Sequence, residues 1–288
     1  MNWLIASSLM FVSSVVTYLF VRLAGNQKIN NPLKNLAMFF IPVIIYLGLS
    51  TNQLSTLSVT PYQLLVITVM SIFFSYLGNK FSLKSLELAS NPGFSLVISK
   101  SYVVFTTIAA IFLFDSTLSW QASLAIVLVV TGSALIMIEK TQAPNQKTQN
   151  SWFWFSLGAF FCWGMLALTS KYLLDLGVSI LARLIYSMLI VSVIIFLEIW
   201  QKRISLKVSQ PQLLTLLMIG LTGASFNYFM QLAYQLTPNV GYVNAMNAAS
   251  IAALTLLSGI IFKDQLQSRK LFGVVIVVLG MVFLTLTK

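Results

Sequence analysis

Polar and apolar positions along this chain come in blocks rather than in the short periods of a water-soluble fold. Ten stretches of about 20 mostly apolar residues follow one another at roughly 3–23, 33–50, 61–88, 92–114, 119–138, 152–174, 179–200, 212–236, 238–262 and 267–287. A helix that rises 1.5 Å per residue needs about 20 residues to cross a hydrocarbon layer of roughly 30 Å, so each block is long enough for one span. The breaks carry turn chemistry: Asn30, Asn31 and Pro32, then Thr60 and Pro61, Asn91 and Pro92, and Thr237 and Pro238. The pattern predicts an all-α integral membrane protein of ten transmembrane helices with no appended soluble domain. The first block has no basic stretch before it and spans a full bilayer, so it reads as a retained helix, not a removable signal.

Composition supports the same reading. Of 288 residues 58% are hydrophobic and 8% charged, too little polar surface for a water-soluble globule of this length. The single cysteine, Cys162, excludes an internal disulfide, and the absence of histidine argues against a structural zinc. No cofactor is expected. The net charge of +11 is spread over basic residues that sit singly or in small groups at block ends, which predicts topology rather than a nucleic-acid partner.

Those residues sort by side. Arg22, Lys28, Lys34, Lys80, Lys84, Lys140, Lys147, Lys202, Arg203, Lys207, Lys263, Arg269 and Lys270 fall on one side, and only Lys171 and Lys288 on the other. By the positive-inside rule the rich side faces the cytoplasm and both termini lie outside. A multi-pass protein of a bacterial cytoplasmic (inner) membrane is the expected setting, with the bilayer and a small solute as partners. Monomer and homodimer both remain open.

The chain also repeats itself. Shifted by 148 residues without a gap, 79–140 aligns with 227–288 and matches at thirteen of sixty-two positions. Several matches are not generic apolar residues: Asn79 with Asn227, Phe81 with Phe229, Asn91 with Asn239, Gly93 with Gly241, Thr107 with Thr255 and Gly132 with Gly280. The division is a first five-helix repeat over 1–140, a connecting loop over 141–151 and a second repeat over 152–288. Five is odd, so the second repeat must enter the membrane from the opposite face. Inverted repeats recur in secondary transporters, where two similar halves exchange conformations around a central site. A scaffold or sensor that does not transport, and a channel, are the alternatives.

The half-repeat pattern resembles the EamA-type branch of the drug/metabolite transporter superfamily. The resemblance is carried by the Asn91–Gly93 start of segment 4, the Thr237–Gly241 start of segment 9, and Trp163, Gly164 and Lys171 in segment 6. The close of each half adds Phe262, Asp264, Leu266 and Gly280, matched by Phe114, Leu118 and Gly132. The family usually places Glu at that turn, where this chain has Asp264 and, in the first half, Ser116 beside Asp115. The resemblance implies two inverted five-helix bundles around a central cavity that serves small metabolites. Many relatives are drawn with both termini in the cytosol; the charge count for this chain places them outside.

Candidate binding residues follow from polar groups deep in the blocks. Glu87, Asp115, Glu139, Asp175, Glu198 and Asp264 all fall near block ends, so a buried acid for proton exchange is missing. Lys100 stands eight residues beyond Pro92, about 12 Å into segment 4. A lysine near mid-bilayer costs about 2.5 to 3.5 kcal/mol unless it faces a cavity or a partner. Ser95, Ser99, Tyr102 and Thr106 form a polar stripe beside it. Asn247 and Asn227 reach a similar depth, Asn244 shares a face with Asn247, and Asn79 is the repeat mate of Asn227. Trp163 lies near the midplane, where its ring can stack on a solute. The predicted substrate-binding set is Lys100, Asn244, Asn247, Asn227, Asn79, Trp163, Tyr102 and Ser99, with Lys100 neutralising an anionic group. Arg183 and Lys171, close to block ends, read as interfacial anchors, the second paired with Asp175. Gly273 and Gly280, with Ala125 and Gly132, read as packing positions of the last helix in each half. No intramembrane nucleophile with a base, metal cluster or acid pair is present to make an enzyme.

Overall fold

A computed structural model describes residues 1–52, 54–88, 92–138, 151–263 and 267–286. Asn91, Glu139, Lys140, Lys147, Asp264, Leu266, Lys288 and nearly all of the loop 141–151 lie outside the described residues. The described chain is all helical, with ten helices long and apolar enough to cross a membrane. In order the spans are 1, Trp3–Asn26; 2, Asn31–Ser50; 3, Pro61–Val69 continued by a π-helical stretch Met70–Tyr76 and by Leu77–Leu88; and 4, Pro92–Lys100 with Tyr102–Phe114. Then come 5, Trp120–Met137; 6, Ser151–Asp175; 7, Ile180–Gln201; 8, Gln210–Leu236; 9, Val240–Phe262; and 10, Ser268–Thr285. The bounds agree with the blocks of the sequence to within three residues.

Local chemistry sets the ends. The side chains of Asn2, Ser119, Ser179 and Asn239 accept from backbone N–H groups that the first turn leaves free. Thr60 and Gln63 form a reciprocal capping box at span 3, within which Pro61 supplies a pre-set first turn. Large apolar side chains remain on the surface, among them Phe112, Trp200 and Ile260. Water would penalise such a surface, whereas hydrocarbon covers it. The chain is a multi-pass integral membrane protein.

The helices gather into two compact units that cut across the two repeats. One comprises Met1–Ile72 and Ser170–Gln235, and so holds spans 1, 2, 7 and 8 with the start of span 3 and the end of span 6. Its core joins Val43 and Tyr46 of span 2 to Leu184, Ile185 and Met188 of span 7, closed by Ala224 of span 8. The Tyr46 hydroxyl donates to the Ala224 carbonyl at 2.6 Å.

The other unit comprises Phe73–Thr169 and Leu236–Lys288, with spans 4, 5, 9 and 10. Spans 5 and 10 make the most extensive helix pair in the described structure. A Cβ on Gly132 would stand 2.7 Å from the Gly273 carbonyl oxygen, and one on Gly280 would stand 2.9 Å from that of Ala125. Only hydrogen fits at this approach, the packing that small residues permit between membrane helices. The pairing also fixes the symmetry. Gly273 is the repeat mate of Ala125 and Gly280 that of Gly132, so each early position meets a late one. Equivalent helices therefore run antiparallel, as inversion requires. The turns agree: span 4 ends at Phe114 and Asp115 turns left-handed at φ 49°, and span 9 ends at Phe262 with its mate Lys263 at φ 58°. The architecture is two inverted five-helix repeats.

Candidate functional site

Seven of the eight predicted residues stand in the second unit, and Asn227 stands in the first. Lys100 closes the first part of span 4 and is half-buried, engaged by a neighbour. The helix is interrupted one residue later. There the Ser101 N–H is shared between the Val97 and Ile98 carbonyls at 3.0 and 3.2 Å, while its hydroxyl donates to Val97 at 2.7 Å. A hydroxyl that competes for a carbonyl of its own helix loosens the regular ladder, and here it does so beside the one lysine in the body of span 4.

Ser99 is buried, its hydroxyl donating to the Leu96 carbonyl at 3.1 Å, and Tyr102 is buried on the next turn. Both lie on the stripe the sequence places beside Lys100.

Span 9 is enclosed over its first half: Val240 through Ser250 are all buried. Its approach to span 4 begins at Gly241, where a Cβ would run into Thr107, and the Asn239 amide reaches the Thr107 carbonyl at 3.4 Å. Asn244 follows, fully buried, and donates from Nδ2 to the Thr106 hydroxyl at 2.9 Å. Asn247 is buried one turn on, where its backbone carbonyl accepts from Ser250 at 2.7 Å. Thus of the predicted residues Asn244 is the one seen to bond across from span 9 to span 4, through Thr106.

Asn79 and Trp163 are half-buried on spans 3 and 6. These spans close on each other where a Cβ on Gly78 would stand 2.8 Å from Cys162 Cβ and 3.8 Å from the Trp163 ring. Gly164 faces the Phe105 ring, so span 6 also packs on span 4. Asn227, in the first unit, donates to the Gly223 carbonyl of its own helix at 2.8 Å.

Two anchors behave differently from each other. Lys171 pairs with Asp175 at 2.7 Å, as the i, i+4 spacing predicts. Arg183 does not snorkel to water: it is 4% exposed and turned inward, donating to the Ser170 hydroxyl and, at 3.8 Å, to the Met70 sulfur. Its position one turn inside a helix gave no sign of direction, because which face of span 7 is covered depends on spans 3 and 6. A shallow depression at the end of span 7, bordered by Phe196, Trp200 and Arg203, contains none of the predicted residues. Among the described residues no three of His, Cys, Asp and Glu gather as metal ligands.

Residues 150–286 match the EamA-like transporter family. No curated protein matches the chain. A solved structure, described only as the crystal structure of a protein, matches with a TM-score of 0.77 over 97% of this chain and 97% of that one, at 13% identity. At that identity the likeness shows the fold. The second half of the chain therefore carries an EamA-like domain, within a ten-helix fold that a solved protein shares across nearly its whole length.

Proposed function

We propose that this chain is a secondary transporter that moves a small carboxylate-bearing or zwitterionic metabolite, amino acids and their relatives foremost, by alternating access. The observation that carries the reading is the antiparallel seating of repeat-equivalent spans 5 and 10 through Gly132, Gly273 and Gly280. Two inverted halves of one pattern can exchange conformations and so present one site to either face in turn. The EamA-like match of residues 150–286 supports the same class.

On this reading the solute meets Lys100, which neutralises its carboxylate, with Asn244, Asn247, Asn79, Ser99 and Tyr102 supplying hydrogen bonds and Trp163 a ring face. The basic-rich ends face the cytoplasm of a bacterium and both termini face outward. With the carboxylates near span ends, exchange or uniport fits better than proton coupling through a buried acid.

The test is flux into liposomes that contain the purified protein, after thermal-shift screening of metabolite classes. The expected result is saturable uptake, stimulated by solute on the far side, that Lys100→Ala and Asn247→Ala reduce. Flux that neither saturates nor responds to far-side solute identifies a channel. No flux for any class that binds leaves a sensor or scaffold.

A further inference from the structure

Arg183 is the most enclosed cation of the first unit. Its guanidinium offers five N–H donors and holds its charge under all ordinary conditions. One terminal nitrogen serves the Ser170 hydroxyl and the Met70 sulfur, neither of which carries negative charge. The Nε–H is buried with no acceptor. Among the described residues no carboxylate pairs with it: Asp175 holds Lys171 and Glu198 holds Lys202. Tyr46 and Tyr234 are the ionisable groups within electrostatic reach, and both are buried phenols. The Tyr46 hydroxyl is spent on the Ala224 carbonyl.

A buried charge is retained in a fold where something of opposite sign meets it. Among the described residues of this unit the two carboxylates are engaged by lysines, and Arg183 meets neutral partners alone. We propose that Arg183 is an anion-binding residue, whose unsatisfied Nε–H takes either a chloride from solution or the carboxylate of a solute. Both present the compact negative charge that a guanidinium fork receives through charge-assisted hydrogen bonds. Ser170, held against the same nitrogen, fixes the direction of the fork. Arg183 and its partners Ser170 and Met70 all belong to the first unit, and the proposal does not depend on the transport reading.

The experiment uses the purified full chain in detergent, with thermal unfolding followed while sodium chloride or sodium acetate is titrated. Sodium HEPES, whose anion is far larger than chloride or acetate, keeps ionic strength constant. The wild type is expected to show a saturable rise in Tm, on the order of 5 °C at one hundred times the apparent Kd. Arg183→Gln is expected to lose it. Saturation by chloride but not acetate assigns a resident inorganic ion, and saturation by acetate assigns a carboxylate subsite. If Arg183→Gln fails to fold, Arg183→Lys carries the test: it keeps the charge without the fork, and the rise should persist at weaker apparent affinity. A wild type with no saturable rise in either salt overturns the proposal, as does a rise that Arg183→Gln leaves unchanged. Because no flux is measured, failure here leaves the transport reading standing.

Discussion

Spans 3 and 4 and their repeat mates, spans 8 and 9, occupy the same places in the two halves and differ in continuity. Span 8 runs unbroken over Gln210–Leu236 and span 9 over Val240–Phe262. Span 3 passes through the π-helical stretch Met70–Tyr76, and span 4 is interrupted at Ser101. A serine hydroxyl stands at each break. Ser71 returns its hydroxyl to the Ile67 carbonyl at 2.6 Å and Ser101 returns its own to Val97, where the mates 148 residues on are Ile219 and Ala249 and have no hydroxyl to return. Polar chemistry follows the same asymmetry: Lys100 corresponds to Ala248, Asn247 to Ser99 and Asn244 to Leu96. The repeat supplies a framework, and the polar departures from it fall on both the interrupted span 4, at Lys100, and the unbroken span 9, at Asn244 and Asn247.

The framework itself is the first thing to break. Gly132→Leu and Gly280→Leu each drive a side chain into a backbone carbonyl less than 3 Å from where a Cβ would stand, so each is expected to cost about 3 kcal/mol of stability. Reversible unfolding in mixed detergent measures the loss. Similar losses sharpen the comparison, because the two positions are symmetry mates; tolerance of leucine at one of them would mean that the halves are less alike than their packing indicates.

The next effect is chemical. Lys100→Ala is expected to lower saturable flux at least tenfold, about 1.4 kcal/mol, with little change in Tm. Moving the cation to the mate position, in Lys100→Ala with Ala248→Lys, is expected not to restore flux. Ala248 is 4% exposed on an unbroken helix, and a lysine there has no loosened backbone beside it. Restored flux in the exchanged variant would show the two halves to be interchangeable at this depth.

What the sequence disclosed and what it hid divide along physical lines. A block of about 20 apolar residues is a strong local signal, so all ten spans were legible, as were the Pro-led starts of spans 2, 3 and 4 and the glycine positions of spans 5 and 10, whereas span 9 begins beyond Pro238 at Val240, capped by Asn239. Inversion followed from an odd number of spans. The inward turn of Arg183 was not legible, since its partners Met70 and Ser170 stand 113 and 13 residues away and nothing local names the covered face. The breaks at Met70–Tyr76 and Ser101 were not legible, because hydroxyls that return to a carbonyl one turn back also stand in helices that stay regular, as Thr215 and Thr222 do in span 8. The grouping of spans 1, 2, 7 and 8 apart from 4, 5, 9 and 10 comes from contacts between halves, which a repeat read along the chain cannot show.

The smallest expected effect concerns one hydrogen bond. Asn244 donates to Thr106, whose hydroxyl in turn donates to the Val103 carbonyl at 3.0 Å. Their repeat mates are Leu96 and Leu254, an apolar pair, so the second half's amide has no equivalent in the first. A double-mutant cycle with Asn244→Leu and Thr106→Val should give a coupling of about 0.6 kcal/mol, the usual yield of such a bond between membrane helices. Each single change leaves a buried polar group short of a partner, and the double change removes both, which is why the pair is worth more than its members. If coupling is present and flux survives both single changes, Asn244 is packing chemistry added to the repeat. If coupling is absent and Asn244→Leu alone abolishes flux, the amide serves the solute, and the asymmetry between spans 4 and 9 is an asymmetry of the binding site.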